Sequence, residues 1–497
     1  MQYSADRNAV RESSGDGGKW LREDGVTVMI RVLDILNHTL FWYYFASNLT
    51  YLAMLIVALK TTAAHQRRLQ SHRLDWFKAS PLAPPITMIV PAHNEEKSIR
   101  VAVRNLLDLD YPELQVIVVN DGSEDRTLDE MRAAFRLRPV RTVYIPEAEC
   151  AQVRGMYRSE LDGRLLIIDK ESGGSKADAV NAGLNSATSP YVCVVDADSV
   201  LERDALLRIM VPIVADPKRV VAVGGIIRVL NGSEIEGGHL KRVRLPRKSI
   251  EVIQVIEYLR AFLIGREAWG QGNMLMIISG AFGVFRTDLV RAVGGYRSSA
   301  IGEDFDLVAR LHRLLLEKRA DYHIDFVPDP MCWTEVPSDL RSLARQRARW
   351  QKGLLDVLLP NRDMLFRPRY GRIGFLALPH LWVFELFAPI IEITGIGTIL
   401  LAACLGVLSR QFFLQFLLFG YAFATVISLG AVLQEEVTYK RYNDWQDVVR
   451  LVSYCFLEHF PYRQMHMIWR LQGLWQYLRG DLSWKPLKRK GLESART

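Results

Sequence analysis

The sequence has little cysteine, and what it has follows no pattern. Cys150, Cys193, Cys332, Cys404 and Cys455 are widely spaced and odd in number, with no CxxC pair and no Cys/His ligand spacing. This excludes a disulfide framework and a structural zinc site, and suits a reducing compartment. No G-x-G-x-x-G joins a strand to a helix, which disfavours a dinucleotide oxidoreductase. Gly173-Gly174-Ser175-Lys176-Ala177 is not a Walker loop, because the upstream glycine is missing and the order is G-S-K. The net charge is +8, yet no aromatic-studded basic motif is present, so no nucleic-acid partner is expected. The N-terminus does not read as a secretory signal: its apolar run starts late and no small-residue cleavage site follows.

What is present is a mixture. Of 497 residues, 49% are hydrophobic and 24% charged, the mark of a charged globular part joined to membrane segments. Basic residues flank the apolar runs, at Lys60, Arg67, Arg68, Arg73 and Lys78 and again at Lys485, Lys488, Arg489 and Lys490. Such flanks mark a cytoplasmic side that meets anionic lipid. The reading is a polar tail over 1–37, disordered in its first 24 residues, and a transmembrane helix over 38–60. A cytosolic domain follows over 82–356. An interfacial helix and two transmembrane helices occupy 371–433, where Pro379, Pro389, Glu385 and Glu392 interrupt the apolar run. The stretch 434–497 is an amphipathic or transmembrane helix with a basic tail. This makes a multi-pass protein of the inner (plasma) membrane, with its main domain in the cytosol.

Within that domain strands and helices alternate. ITMIVPA, LQVIVVND, RTVYIP and YVCVVDAD read as strands, with helices over Lys97–Leu107, Glu124–Phe135 and Ala177–Leu184. This order implies a Rossmann-like, mostly parallel sheet covered by helices, with ligands at the carboxyl ends of its strands. Those ends carry Pro91-Ala92-His93-Asn94-Glu95, Asn120-Asp121-Gly122-Ser123 and Asp196-Ala197-Asp198, so three polar clusters converge on one crevice. Asp121 is placed to accept from a base or ribose. Asp196 and Asp198 lie two apart, on one face of an extended chain, and suit Mg²⁺ or Mn²⁺ with a diphosphate. Lys176 enters a helix from a flexible loop and reaches for the nucleotide.

The motifs VPAHNEE, VVNDGSEDRT, GGSKADAVNAGL, VVDADS, SGAFGVFR, GED and QRARW occur in the order found in inverting glycosyltransferases of family two. The resemblance covers about Pro85–Gly353. QxxRW beside membrane spans resembles the processive synthases of cellulose, hyaluronan, chitin and poly-N-acetylglucosamine. VIEYLRAFLIGREAW followed by SGAFGVFR is most similar to the bacterial poly-N-acetylglucosamine type. The resemblance implies an α/β type A glycosyltransferase domain with transmembrane and interfacial helices. It implies a UDP-sugar donor, best UDP-N-acetylglucosamine, and a polysaccharide or lipid-linked acceptor, with the lipid bilayer and an accessory membrane or export subunit as further partners. Asp304 is then the base, with Glu303 beside it. Pro91, His93, Asn94, Glu95, Asp121, Lys176, Asp196, Ala197, Asp198 and Arg349 hold the nucleotide sugar. Ser279, Gly280, Gln346 and Trp350 hold the acceptor. One departure stands out: Val437-Thr438-Tyr439-Lys440 echoes the end of the FxVTxK gate of cellulose-type synthases, but Glu435 stands where Phe belongs.

Plainer roles exist for each of these residues. Asp304 suits the start of a helix over Phe305–Leu316, where the dipole favours an acid. Trp350 suits a membrane-interface anchor, and Arg349 a solvated basic helix face. His93 suits a strand-end hydrogen bond better than a metal. The alternatives to a polymerase are transfer of a single sugar to a lipid and an inactive nucleotide-sugar-binding subunit.

Overall fold

The computed structural model describes residues 18–71, 77–78, 80, 83–141, 144, 146–442 and 444–482. The chain forms two compact units, one of Met1–Asn48 with Ile390–Phe423 and one of Leu49–Pro389 with Ala424–Thr497. In the first, Asn48 Nδ2 donates to Phe419 O at 2.7 Å, and Tyr44 meets Phe416 edge to face at 5.7 Å.

The second unit is built on the sheet. Its strands are β1 (Ile86–Ala92), β2 (Leu114–Asp121), β3 (Leu137–Pro139), β4 (Val153–Ser159), β5 (Leu165–Lys170), β6 (Tyr191–Val194), β7 (Val200–Leu201), β8 (Val220–Val229), β9 (Glu234–Glu236), β10 (His239–Arg242), β11 (Gly283–Arg286) and β12 (His323–Thr334). Ten of them join in the order β3-β4-β5-β2-β1-β6-β11-β8-β12-β7, and β9 with β10 forms a separate hairpin. The block β5-β2-β1-β6 is parallel, as is β8-β12, while β11 runs antiparallel between β6 and β8. Strands covered on both faces must be apolar along their whole length. β1 and β2 meet this: Met88, Ile89, Val90, Ile117, Val118 and Val119 are fully buried. The parallel register sets Ala92 beside Asn120, Asn120 beside Asp169, and Asp121 beside Lys170, so the polar strand ends form one rim.

The helices differ from the expectation in several places. The first runs Gly18–Ser71 without a break, with a candidate span at Arg31–Gln66 that contains the expected 38–60, so the described part of the polar tail, 18–37, is helical. Val26–Leu36 contains no Gly or Pro, and a helix once nucleated extends at little cost. The remainder of the tail, 1–17, lies outside the described residues. A second helix long and apolar enough to cross a membrane is Arg410–Thr438, and the bent pair Ile373–Leu386 and Ala388–Cys404 passes only if counted as one span. The stretch 434–497 holds two helices, Trp445–Leu457 and Tyr462–Leu478, of 13 and 17 residues, each short of the roughly 20 a crossing needs. Its basic tail beyond 482 lies outside the described residues. RTVYIP is not a strand at Arg141, Tyr144 or Pro146, and its other residues lie outside the described set. The strand forms earlier, at β3, where residues 137–139 pair with β4.

Candidate active site

Two loops shape the rim above β1 and β2. Asn94 adopts a left-handed φ of +57°, which asparagine tolerates, and so turns the chain back towards β2. Its backbone N–H donates to Ser123 Oγ at 3.0 Å, and its Oδ1 accepts from Glu124 N at 2.9 Å. His93 bonds through Nδ1 to the Asp121 carbonyl at 2.8 Å, which is the strand-end role. Glu95 binds back on itself: its N–H reaches Thr127 Oγ1 at 2.8 Å and its carboxylate accepts from Ser98 at 2.5 Å. Pro91, His93, Asn94 and Glu95 therefore build the wall, and Glu95's carboxylate is committed to it.

Asp121 is buried at the end of β2. Its Oδ1 accepts from Lys170 Nζ at 2.5 Å and from Gly173 N at 3.1 Å. Gly173 must be glycine, since a Cβ there would stand 2.1 Å from the Asp178 carboxyl group. The loop then enters the helix Lys176–Ser186, capped by Ser175, whose Oγ accepts from Asp178 N at 3.3 Å.

Lys176 is the centre of the site. Its ammonium ion-pairs with Asp196 and donates to Gly280 O at 2.8 Å. Gly280 N in turn donates to Asp304 Oδ2 at 3.1 Å. One residue of the Ser279–Phe282 turn thus links the DxD lysine pair to the carboxylate at the head of the helix Glu303–Glu317. A Cβ at Gly280 would stand 3.1 Å from Lys176 Nζ, a tight contact that would shift the ammonium. Burial pushes the Lys176 ammonium down, but Asp196, Glu303 and Asp304 outweigh it and hold its pKa above the ordinary lysine value. Burial also pushes the Glu303 carboxyl above its ordinary value; Asp304 adds to the shift, while Lys176 and Arg349 oppose it.

The QxxRW helix, Leu340–Leu358, reaches the same place through a glycine contact. Gly353 packs on Gly302: a Cβ on either would lie 3.4–3.6 Å from the other's Cα. Gln346, Arg349 and Gly353 share a face by their spacing of three and four, so Arg349 comes to Glu303. Arg349 makes no salt bridge among the described residues, and Gln346 Oε1 is buried with no hydrogen-bond partner among them. Trp350 keeps part of its ring at the surface. It is 43% exposed, with the Arg347 guanidinium stacked 4.2 Å from its ring centroid, and Arg347 is tied to Glu257 at 2.6 Å.

Asp196, Ala197 and Asp198 form a turn closed by Ser199 N to Asp196 O at 3.0 Å, with Asp198 2% exposed. Among the described residues no group of three or more His, Cys, Asp or Glu has metal-holding geometry. The chain offers two carboxylates here, the oxygen set that suits a hard divalent cation whose remaining ligands are diphosphate oxygens and water. Asp304, Glu303, Lys176, Asp196, Gly280 and Arg349 are therefore gathered, and Asp121 ends β2, with β1 between it and β6. A cavity of about 970 Å³ lined by His65, Arg219, Glu267, Asp325 and Arg372 includes none of the expected site residues.

Sequence reasoning passed over Lys170 and Gly353. A lysine ending an apolar strand run marks the first, and a glycine four residues after Arg349 in a helix marks the second. It also passed over Arg266, whose Nη1 is buried without a hydrogen-bond partner among the described residues, and whose pKa burial lowers to about 10 against an opposing pull from Asp304. Arg266 ends a π-helical segment, Arg260–Arg266, a wound-out geometry common near functional sites.

Comparison with known proteins places the chain in a family. A poly-β-1,6-N-acetyl-D-glucosamine synthase of Staphylococcus epidermidis is 29% identical over 276 residues, 55% of either chain. The enzyme of that name from Staphylococcus aureus (strain COL) is 29% identical over 318 residues, 64% of this chain and 63% of its own. The chain thus spans between half and two thirds of these relatives' length. Among solved structures, the mannosyltransferase PcManGT from Pyrobaculum calidifontis, in complex with GDP-Man and Mn²⁺, aligns with a TM-score of 0.47 and 20% identity, covering 85% of this chain and 99% of that one. The profile described as "Glycosyltransferase like family 2" matches residues 84–353, more than half of the sequence, and the chain belongs to that family.

Proposed function

We propose that this chain transfers a sugar from a UDP-sugar, best UDP-N-acetylglucosamine, to a growing β-linked polysaccharide, with inversion at the anomeric carbon and coupled to export across the membrane in which it sits. The observation that supports this reading is the link Asp196–Lys176–Gly280–Asp304, in which a carboxylate suited to act as base and an ammonium suited to phosphate meet around one small turn. Asp304 accepts the proton of the acceptor hydroxyl as the new bond from that oxygen to the anomeric carbon forms. The bond from carbon to the diphosphate breaks, and UDP leaves on the opposite face. Arg349, which makes no salt bridge among the described residues, meets phosphate oxygens through its planar fork. A Mg²⁺ or Mn²⁺ ion held by Asp196 and Asp198 would offset charge on the departing diphosphate. Only one carboxylate is needed as base, so no covalent intermediate forms.

Gln346 and the Ser279–Gly280 turn face the acceptor side of this scheme, and Trp350 offers its exposed ring to the sugar already added. The relatives' names support N-acetylglucosamine as the sugar. The test is incubation of the protein in membranes with a panel of UDP-sugars, followed by digestion of the product with linkage-specific hydrolases. A polymer of β-linked N-acetylglucosamine is expected. A single sugar on a lipid would replace polymerisation with single transfer, and nucleotide binding without product would make the chain a non-catalytic subunit.

A further inference from the structure

Lys170 is a lysine with no exposed side-chain surface, standing between two buried acids. Its ammonium donates to Asp121 Oδ1 at 2.5 Å and to the Glu171 carbonyl at 2.6 Å, and it forms an ion pair with Asp178. Each partner serves a different wall. Asp121 ends β2, Glu171 opens the glycine loop, and Asp178 lies in the first turn of the helix that Lys176 begins. Asp178 also holds the preceding segment, its Oδ2 accepting from Ala151 N at 2.9 Å. Lysine is long enough to reach all three acceptors from the adjacent register position on β5.

The consequence falls on Asp121. Among the described residues its hydrogen bonds converge on Oδ1, which takes both Lys170 and Gly173 N. Oδ1 is thereby saturated, and Oδ2 is the oxygen left to accept from a ligand. Two donors on one oxygen, the Lys170 ammonium and the Gly173 N–H, fix the orientation of the carboxyl group and present Oδ2 as the acceptor. Such a group recognises a base edge that offers an N–H, as uracil does at N3. It refuses one that offers a lone pair there, as cytosine does, because two acceptors then face each other with no proton between them.

We propose that Lys170 is the positioning residue for nucleobase selection, locking Asp121 as a one-sided acceptor and tying that choice to the loop that delivers Lys176. This rests on the reading of Asp121 as the base-side contact for a nucleotide-sugar donor. Lys170 itself touches no substrate.

The test compares UDP and CDP binding by calorimetry on the full chain in detergent, for wild type, Lys170→Met and Asp178→Asn, with donor KM and kcat measured alongside. Wild type is expected to prefer UDP by tenfold or more, since a site built for one hydrogen bond strongly rejects a ligand lacking it (about 10⁴-fold at the extreme). Lys170→Met should lose most of that preference and raise donor KM, with kcat at saturating donor largely kept. Asp178→Asn leaves Lys170 with Asp121 and should keep the preference, which provides a reading even where Lys170→Met fails to fold. Equal binding of UDP and CDP by wild type overturns the inference. So does an unchanged ratio in folded Lys170→Met, or a lost ratio in Asp178→Asn. A wild type that binds no nucleoside diphosphate overturns the donor reading as well, whereas tight UDP binding with an unchanged Lys170→Met ratio overturns only the role of Lys170.

Discussion

Gly302 and Gly353 meet backbone to backbone: a methyl group on Gly353 would stand 3.4 Å from both Cα and N of Gly302. This contact brings the QxxRW helix to the first turn of the helix that carries Glu303 and Asp304. One turn before Gly353 is Arg349, whose charge opposes the upward shift of the Glu303 pKa; one turn after it is Asp356, whose Oδ2 accepts from Ile301 N at 3.1 Å. Gly353→Val should wedge these helices apart. A displacement near 1 Å at a catalytic site can cost about a hundredfold in rate, so kcat should fall on that order, and UDP affinity should weaken as well because Arg349 is the proposed phosphate contact. Steady-state kinetics with a parallel UDP titration check both. Unchanged kcat would show that the contact does not set the position of Arg349.

Asp304 is held on both oxygens by backbone donors, Gly280 N at 3.1 Å and Phe305 N at 2.8 Å. These bonds fix the direction of the carboxylate. Asp304→Asn retains the size and removes the proton acceptor. Transfer should drop by roughly 10²–10⁴-fold, the usual worth of a positioned base, while UDP binding persists. Product formation at the normal rate would remove Asp304 from the role of base.

Glu303 supplies a pH-dependent signature. Its folded pKa is raised, chiefly by burial and then by Asp304. At pH below the unfolded glutamate value both states hold the proton and the group is neutral in effect. As pH rises through the window up to the folded pKa, the unfolded chain has lost the proton that the folded chain keeps, so stability falls with pH. Glu303→Gln removes this loss. Its melting temperature in detergent should match wild type near pH 4 and exceed it at pH 8. A variant less stable than wild type at pH 8 would mean that the pairing with Lys176 and Arg349 outweighs burial.

How much of this was legible depended on the range of the interaction. β1 and β2 could be read because burial on both faces forces unbroken apolar runs that end in polar residues, and the order of those ends gave the rim. The Asp196, Lys176 and Asp304 positions followed from motif order, since their chemistry is local to short segments. The bridge through Gly280 could not be read, because it consists of backbone N–H and C=O groups that every residue carries. Lys170 was hidden for a related reason: its meaning comes from register beside Asp121, and a lysine after LLIID looks like a solvated strand end until the sheet is assembled. The helix begins well before the apolar run, at Gly18, because polar composition does not stop a helix where no breaker stands between Val26 and Leu36.

The longest-range case is Arg228 with Glu435. Arg228 lies on β8, Glu435 on the helix Phe423–Thr438, and their ion pair is sealed at 3% and 1% side-chain exposure. Tyr439 lies under the guanidinium at 5.9 Å from its ring centroid, and Gln434, next in sequence, donates to Thr62 Oγ1 at 2.8 Å. Glu435 thus has a structural occupation at the place where a gate phenylalanine would stand. Removing one member of a buried pair strands the other charge without solvent, which costs about 3–5 kcal/mol, whereas replacing both with apolar residues of like volume is often neutral or better. Glu435→Gln should therefore lower the melting temperature sharply, and Arg228→Met with Glu435→Leu should restore most of it. If the double variant melts as low as the single, the pair contributes net attraction beyond the cost of its own burial, and β8 depends on that charge to hold the helix end. Transfer activity of the restored variant then separates the two roles: near-normal turnover assigns the pair to stability alone, and lost turnover in a stable protein assigns it to the reaction cycle.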